Sequence, residues 1–223
     1  MKIIKLKEVD STNEYAKKLI DEGESNFLVI ADKQYRGKGR LGRTWLSKPG
    51  GLYFSIVLEN KFSYIFPILI PILIIKAIDV DAKIKFPNDI VYKGKKLSGI
   101  LIEHYKDKII VGIGINVEND LEGLDVAISL KEIKGEVKKE EIFNNFLNLF
   151  LEYYKKLLSG EIREEEILKE YKKLSETIGR YVKLTLPNEE VRGTVFDIDF
   201  EGISLATEEG IRKFPIGDVK NLR

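Results

Sequence analysis

Residues 34–45 read Gln34-Tyr35-Arg36-Gly37-Lys38-Gly39-Arg40-Leu41-Gly42-Arg43-Thr44-Trp45, three glycines set among four cationic side chains. Apolar, strand-like runs flank the stretch at 27–31 and 52–58. Glycine admits positive φ and lets backbone N–H groups approach a ligand that any side chain would obstruct. Arginine adds a planar fork of donors matched to carboxylate or phosphate. The stretch therefore reads as an anion-holding loop between two strands, ordering around its ligand. A flexible hairpin with scattered charge has the same composition, because short glycine motifs are weakly specific. The rest of the chain decides between them.

The 223 residues suit one large domain, or a large and a small one. An apolar content of 43% with 33% charged residues is that of a soluble globular protein. Thirty-seven Lys and Arg against 36 Asp and Glu leave a net charge of +1, without the basic field that wholesale nucleic-acid binding needs. The absence of cysteine excludes disulfides and Cys-based metal sites or nucleophiles. The single histidine, His104, follows a strand-like run and reads as a surface residue without a role. No signal peptide opens the chain, and the most apolar window, 62–75, is too short for a bilayer and broken by Pro67 and Pro71. It reads as a buried, kinked core helix in a cytoplasmic protein with no membrane partner. The abundance of Ile, Lys and Glu resembles the bias of proteins from hot environments.

In chain order, 2–9 reads as a strand running into Asp10-Ser11-Thr12-Asn13-Glu14. There Ser11 and Glu14 have capping-box spacing for a helix to about residue 22, with Gly23 as terminator. Strands follow at 27–33 and 51–59, and two short ones flank Pro87 within 82–92. Lys93-Gly94 turns the chain into 95–105, and 108–117 is the next strand. The last two are dense in Ile, Leu and Val and suit central strands covered by helices. Helical spacing over 138–158 and 161–178 gives two helices separated by Gly160. After Gly179 the period becomes two, at 181–186, 190–199, 203–206 and 210–214, which is a compact β-barrel. The expected class is α+β: a mixed sheet flanked by helices over 1–178, and a small barrel over 179–223.

Further polar clusters fall at strand ends: Asn88-Asp89 after Pro87, Lys95-Lys96 before Leu97, and Gly112-Ile113-Gly114-Ile115-Asn116. Singly they also read as a turn, a solvated charge pair and a close packing point. In this order and spacing they resemble the biotin protein ligase family, along essentially the whole chain. Asp10-Ser11-Thr12-Asn13 matches the family's first motif and residues 34–45 its biotin loop. Lys85-Phe86-Pro87-Asn88-Asp89 matches Lys-Trp-Pro-Asn-Asp, and Lys96-Leu97-Ser98-Gly99-Ile100-Leu101 the following Lys-Leu-x-Gly-Ile-Leu. Gly112 to Asn116 matches Gly-x-Gly-x-Asn. Two departures stand out: Lys38 replaces the first arginine of Gly-Arg-Gly-Arg, a point charge for a fork, and Phe86 replaces tryptophan.

The resemblance implies a class II synthetase-like catalytic domain with an SH3-like C-terminal domain. It implies an ATP- and Mg²⁺-dependent ligase that makes biotinyl-5′-AMP and passes the biotinyl group to a lysine of a biotin carboxyl carrier protein. Lys96 would be the main electrostatic group between biotin carboxylate and α-phosphate, with Arg40 beside it. Biotin would be held by Ser11, Thr12, Asn13, Gln34, Gly37, Lys38, Gly39, Arg40, Lys96 and Gly99. ATP would meet Arg40, Arg43, Trp45, Asn88, Asp89, Lys96 and Asn116, with Asp89 either near the metal or orienting Lys96. Trp45 would cover the adenine or the closed loop. Family analogy suggests a homodimer. Some members carry an N-terminal DNA-binding domain; here the motifs begin at once and the charge is near neutral, so no repressor activity is expected. A lipoate–protein ligase would carry a different glycine motif, and a phosphate-backbone-binding RNA module would need a basic–aromatic face. A Walker NTPase would need Gly-x4-Gly-Lys-Ser/Thr, which is absent.

Overall fold

The computed structural model describes residues 1–121, 123–219 and 221–222. A seven-stranded sheet is built from β1 (Lys2–Val9), β2 (Phe27–Gln34), β3 (Leu52–Glu59), β4 (Lys83–Lys85), β5 (Asp89–Tyr92), β6 (Lys95–Tyr105) and β7 (Lys108–Ile115). Its order is β1-β2-β3-β7-β6-β5-β4, so the apolar β7 lies at the centre as its composition requires. Among these described strands only β1 and β2 pair with each other in parallel, since a parallel pair needs a crossover and α1 (Thr12–Asp21) supplies it. The other pairings are antiparallel. Lys93 and Gly94, at φ 48° and 79°, make the tight turn from β5 to β6 that the sequence announces.

The two faces of the sheet are covered unequally. On one, α2 (Phe66–Ile78), α4 (Lys139–Ser159) and α5 (Glu164–Leu174) close the main core. Helix α2 is apolar all round because it is sandwiched between the sheet and α4 and α5. It starts later than the sequence suggests, with Pro67 in its first turn and Pro71 inside. Along α4, Phe146, Phe150 and Tyr154 stack at i, i+4 spacing, with ring centroids 6.1 and 5.7 Å apart. The other face carries only α1, which packs Ala16 and Ile20 on Phe27, Val29, Val57 and Ile110. The rest of that face is left for the loop at 35–47.

The C-terminal strands β8 (Tyr181–Thr185), β9 (Glu190–Ile198), β10 (Gly202–Thr207), β11 (Gly210–Pro215) and the two-residue β12 (Asn221–Leu222) form a second antiparallel sheet ordered β11-β10-β9-β8-β12. A bulge between Ser204 and Leu205 bends it. The architecture is the expected α+β one. Two elements escape the periodicity argument: α3 (Leu130–Lys134), one turn closed by a Ser129–Glu132 capping box, and β12. Helix α5 is also shorter than read, because its C-terminal segment straightens to pair Ser175 with Ile84 and donate the Glu176 N–H to the Ile84 carbonyl.

Candidate functional site

The open face of the main sheet is a grid of three rows across β3, β7 and β6. Tyr53, Gly114 and Gly99 stand in one row, Ser55, Gly112 and Leu101 in the next, and Val57, Ile110 and Glu103 in the third. The glycines make this face concave. A Cβ at Gly112 would come within 2.2 Å of Asn13 Oδ1, and one at Gly114 within 2.4 Å of Trp45 Nε1. At Gly99 it would meet the same indole at 2.9 Å. The first turn of α1 thus seats in one hollow and Trp45 in the next.

One end of the hollow is uncharged. Ser11, Thr12 and Asn13 are buried there at the start of α1. The expected capping box is absent: the Ser11 side chain makes no cap bond, and Glu14 turns to Lys17 and Lys38, each at 2.8 Å. Those two ammonium groups hold the Glu14 carboxyl below its ordinary range. The helix is capped from outside, with the Thr12 N–H donating to Gln34 Oε1 at 2.8 Å and Gln34 Nε2 donating to Ser47 Oγ at 2.8 Å. Lys38, the residue that departs from the motif, latches the loop to α1.

The loop carries hydrogen bonds of its own. Lys38 bridges Thr44 and Gln34 bridges Ser47 across a narrow hairpin. The Gly39 N–H donates to Arg43 O at 2.7 Å and the Trp45 N–H to Gly37 O at 2.8 Å. Gly37 is required by packing, since a Cβ there would lie 2.4 Å from the Trp45 carbonyl oxygen. The tip, Arg40–Gly42, is a 3₁₀ turn with Leu41 and Gly42 at φ 57° and 72°.

The other end is cationic. Arg40, Arg43, Lys85 and Lys96 line the cavity there against one carboxylate among the described residues, Asp89, while Lys38, also in the lining, is held by Glu14. Lys96 Nζ lies 2.7 Å from Asp89 Oδ1 and 5.2 Å from the Trp45 ring centroid. Arg40 Nη2 donates to the carbonyls of Ile216 and Val219 at 2.9 and 3.0 Å, which ties the loop tip to the C-terminal sheet. Burial lowers the pKa of that guanidinium; the Asp89 charge works against this and Arg43 with it. Asn88 is turned by the bond from its Nδ2 to Ile100 O at 2.6 Å.

Of the residues the sequence singles out, Ser11, Thr12, Asn13, Gln34, Lys38, Gly39, Arg40, Arg43, Trp45, Asn88, Asp89, Lys96 and Gly99 come together around one cavity of about 160 Å³. Gly37 and Asn116 do not line it. Asn116 is buried and spends its amide on Ile128 O at 3.2 Å and on Asn119, whose Nδ2 donates to it at 3.1 Å. It shapes the segment that follows β7. Sequence reasoning passed over Lys85 as a cavity cation, and Ser55 and Glu103 behind the wall. Ser55 had a signal, being a polar residue inside the apolar run of β3.

A family model described as the biotin/lipoate A/B protein ligase family matches residues 6–120, and one for the biotin protein ligase C-terminal domain matches 177–220. The bifunctional ligase/repressor BirA of Bacillus spizizenii is 30% identical over 95% of this chain and 71% of its own length. The biotin–[acetyl-CoA-carboxylase] ligase of Mycobacterium tuberculosis is 27% identical over 88% of this chain and 79% of that one. Among solved structures, the biotin protein ligase of Aquifex aeolicus in complex with biotin and ATP superposes with a TM-score of 0.86. It is 35% identical over all of this chain and 98% of that one. The concave glycine face, the cationic loop and these matches along both sheets have one reading: the chain belongs to the biotin/lipoate A/B protein ligase family, among its biotin protein ligases.

Proposed function

We propose that the chain activates biotin with ATP and transfers the biotinyl group to a lysine of a biotin carboxyl carrier domain. The observation that carries this reading is the polarity of the cavity. A neutral set of hydrogen-bonding groups stands at one end and four cations, Arg40, Arg43, Lys85 and Lys96, at the other, with a glycine-lined hollow between. A ligand with a neutral ureido head, an apolar body and a carboxylate tail fits that order, and the surplus of cations suits the phosphates of a nucleotide. Residues 1–178 would hold both small molecules, and 179–223 would steady the loop through Arg40.

In the first step a biotin carboxylate oxygen attacks the α-phosphorus. An O–P bond forms, the bond to the β-phosphate oxygen breaks, and pyrophosphate leaves. Such a transfer needs positioning and relief of negative charge more than covalent help. Lys96 would be the group for it, with Asp89 directing its ammonium, and Arg40 and Arg43 would meet the phosphates. In the second step a neutral lysine amine attacks the acyl carbon, AMP leaves with the bridging oxygen, and the amine proton passes to solvent. Among the described residues no three carboxylates or histidines form a metal cage, and Asp89 is engaged by Lys96. Mg²⁺ would accordingly arrive on the phosphates of ATP.

The outer side of β1 is a sheet edge open to a second copy, which supports a homodimer. The balanced charge of the chain supports the absence of operator binding. Incubating the chain with biotin, ATP, Mg²⁺ and a carrier domain tests the function. A gain of one biotinyl mass on a single carrier lysine is expected; an unmodified carrier together with unconsumed ATP contradicts it.

A further inference from the structure

Behind the neutral end of the cavity runs a chain of hydrogen-bonded side chains. Asn13 Nδ2 donates to Glu103 Oε2 at 2.7 Å. Asn13 Oδ1 lies 2.6 Å from Ser55 Oγ, which lies 2.7 Å from Thr12 Oγ1. Thr12 Oγ1 is also 3.1 Å from Gln34 Oε1, an oxygen that already accepts the Thr12 N–H. Ser55 is fully buried, and neither it nor Glu103 lines the cavity. Lys17 Nζ bonds the other Glu103 oxygen at 2.7 Å.

Such a chain can be polarised in two ways, because each hydroxyl has one hydrogen to give. In one, Asn13 presents its NH₂ to Ser55, Ser55 donates to Thr12, and Thr12 donates to Gln34. Thr12 then spends a lone pair inside the wall. In the other, Asn13 presents its carbonyl, Ser55 donates to it, and Thr12 donates to Ser55. Thr12 then faces the cavity with its lone pairs open. An ionised carboxylate accepts and cannot donate, so Glu103 holds the Asn13 NH₂ and selects the second arrangement.

We propose that Glu103 is a positioning residue for the biotin site, which through Asn13 and Ser55 sets the Thr12 hydroxyl as an acceptor for a ligand N–H. The inference rests on the biotin reading and deepens it: the partner of Thr12 is a ureido N–H and not a carbonyl. Glu103→Gln removes the selection, since an amide can give or take. Glu103→Gln combined with Asn13→Asp restores it, because a carboxylate at position 13 accepts both from the introduced amide and from Ser55. Lys17→Met removes the ion pair and leaves the relay in place.

The test measures biotin binding by calorimetry and biotin-dependent ATP–pyrophosphate exchange on the full chain and these variants, with Ser55→Ala beside them. Circular dichroism reports folding, and Ser55→Ala decides if Glu103→Gln does not fold. Glu103→Gln and Ser55→Ala should each weaken biotin by about ten-fold in Kd and KM, the worth of one hydrogen bond. The KM for ATP and kcat should stay within about two-fold, the signature of lost uniform binding of biotin. Lys17→Met should match the parent, and the double variant should recover most of the loss. Unchanged biotin affinity in folded Glu103→Gln, or in Ser55→Ala should Glu103→Gln not fold, overturns the proposal. So does an equal loss in Lys17→Met, which would make the effect one of helix docking. A parent chain that binds no biotin overturns the ligase reading as well, so the two failures are distinguishable.

Discussion

Lys96 enters the cavity with its ammonium steered from two sides, by Asp89 at 2.7 Å and by the Trp45 ring at 5.2 Å. Register explains the placement. Asp89 pairs with Gly99 and Val91 with Lys96, and the irregularity between Ile90 and Val91 swings lysine and carboxylate together. Lys96→Ala is expected to lower exchange by roughly 10²–10³ in kcat, the usual loss for one preorganised charge at a transition state. Asp89→Asn keeps the cation and loses its aim, so a smaller fall of about ten-fold is expected from steady-state kinetics. The sequence carries the identity of these residues in Asn88-Asp89 and Lys96. Their contact, one of the two alternatives the resemblance offered for Asp89, is not carried by composition, because a bulge leaves no mark there. Ser11 is the opposite case: its spacing to Glu14 suggests a cap, yet the helix is capped by Gln34, remote in sequence and brought near by β2.

The loop from 35 to 47 holds the one conformational demand of the site. Trp45 lies over Gly99 and Gly114, and its Nε1 is buried with no hydrogen-bond partner among the described residues. An unpaired buried donor costs about 1–3 kcal/mol, so this seat is easily given up. The cavity around it, about 160 Å³, is also small beside the roughly 300–1,000 Å³ usual for small-molecule sites. Biotin should therefore displace the indole from the glycine floor. Trp45 is the only tryptophan in the chain, so intrinsic fluorescence reports it directly. A saturable change in emission on adding biotin is expected, and constant emission at saturating biotin would show that the indole stays. Gly114→Val places a branched side chain where Nε1 lies and should shift the ligand-free spectrum toward the bound one. The glycines are visible in the sequence as Gly-x-Gly, but what fills them is not, since Trp45 and Asn13 arrive from other parts of the chain.

The two sheets are joined across the site as well as along the backbone. The Phe86 N–H donates to Thr177 Oγ1 at 3.0 Å, Lys172 pairs with Asp197 at 2.6 Å, and Tyr64 meets Phe200 edge-on at 6.0 Å. Arg40, which lines the cavity, adds a further contact. Both of its bonds to Ile216 and Val219 come from Nη2, so the C-terminal sheet aims a guanidinium at the cavity. Arg40→Met should speed amide hydrogen exchange around 215–219 and raise the KM for ATP by about ten-fold, as expected for a lost charge-assisted bond. Equal exchange in both proteins would show that the tether is inconsequential. The layered architecture was legible from periodicity, because each strand and helix shows its own buried face. The cross-sheet contacts were not, since they join residues far apart in the chain, and Arg40 ends on main-chain carbonyls that carry no sequence signal.

The most direct measurement is ATP–pyrophosphate exchange on the purified chain with biotin or lipoate as the acid. Exchange with biotin and none with lipoate is expected, together with its loss in Lys96→Ala. Exchange supported by lipoate, or by neither acid, would contradict the assignment of the cavity to biotin.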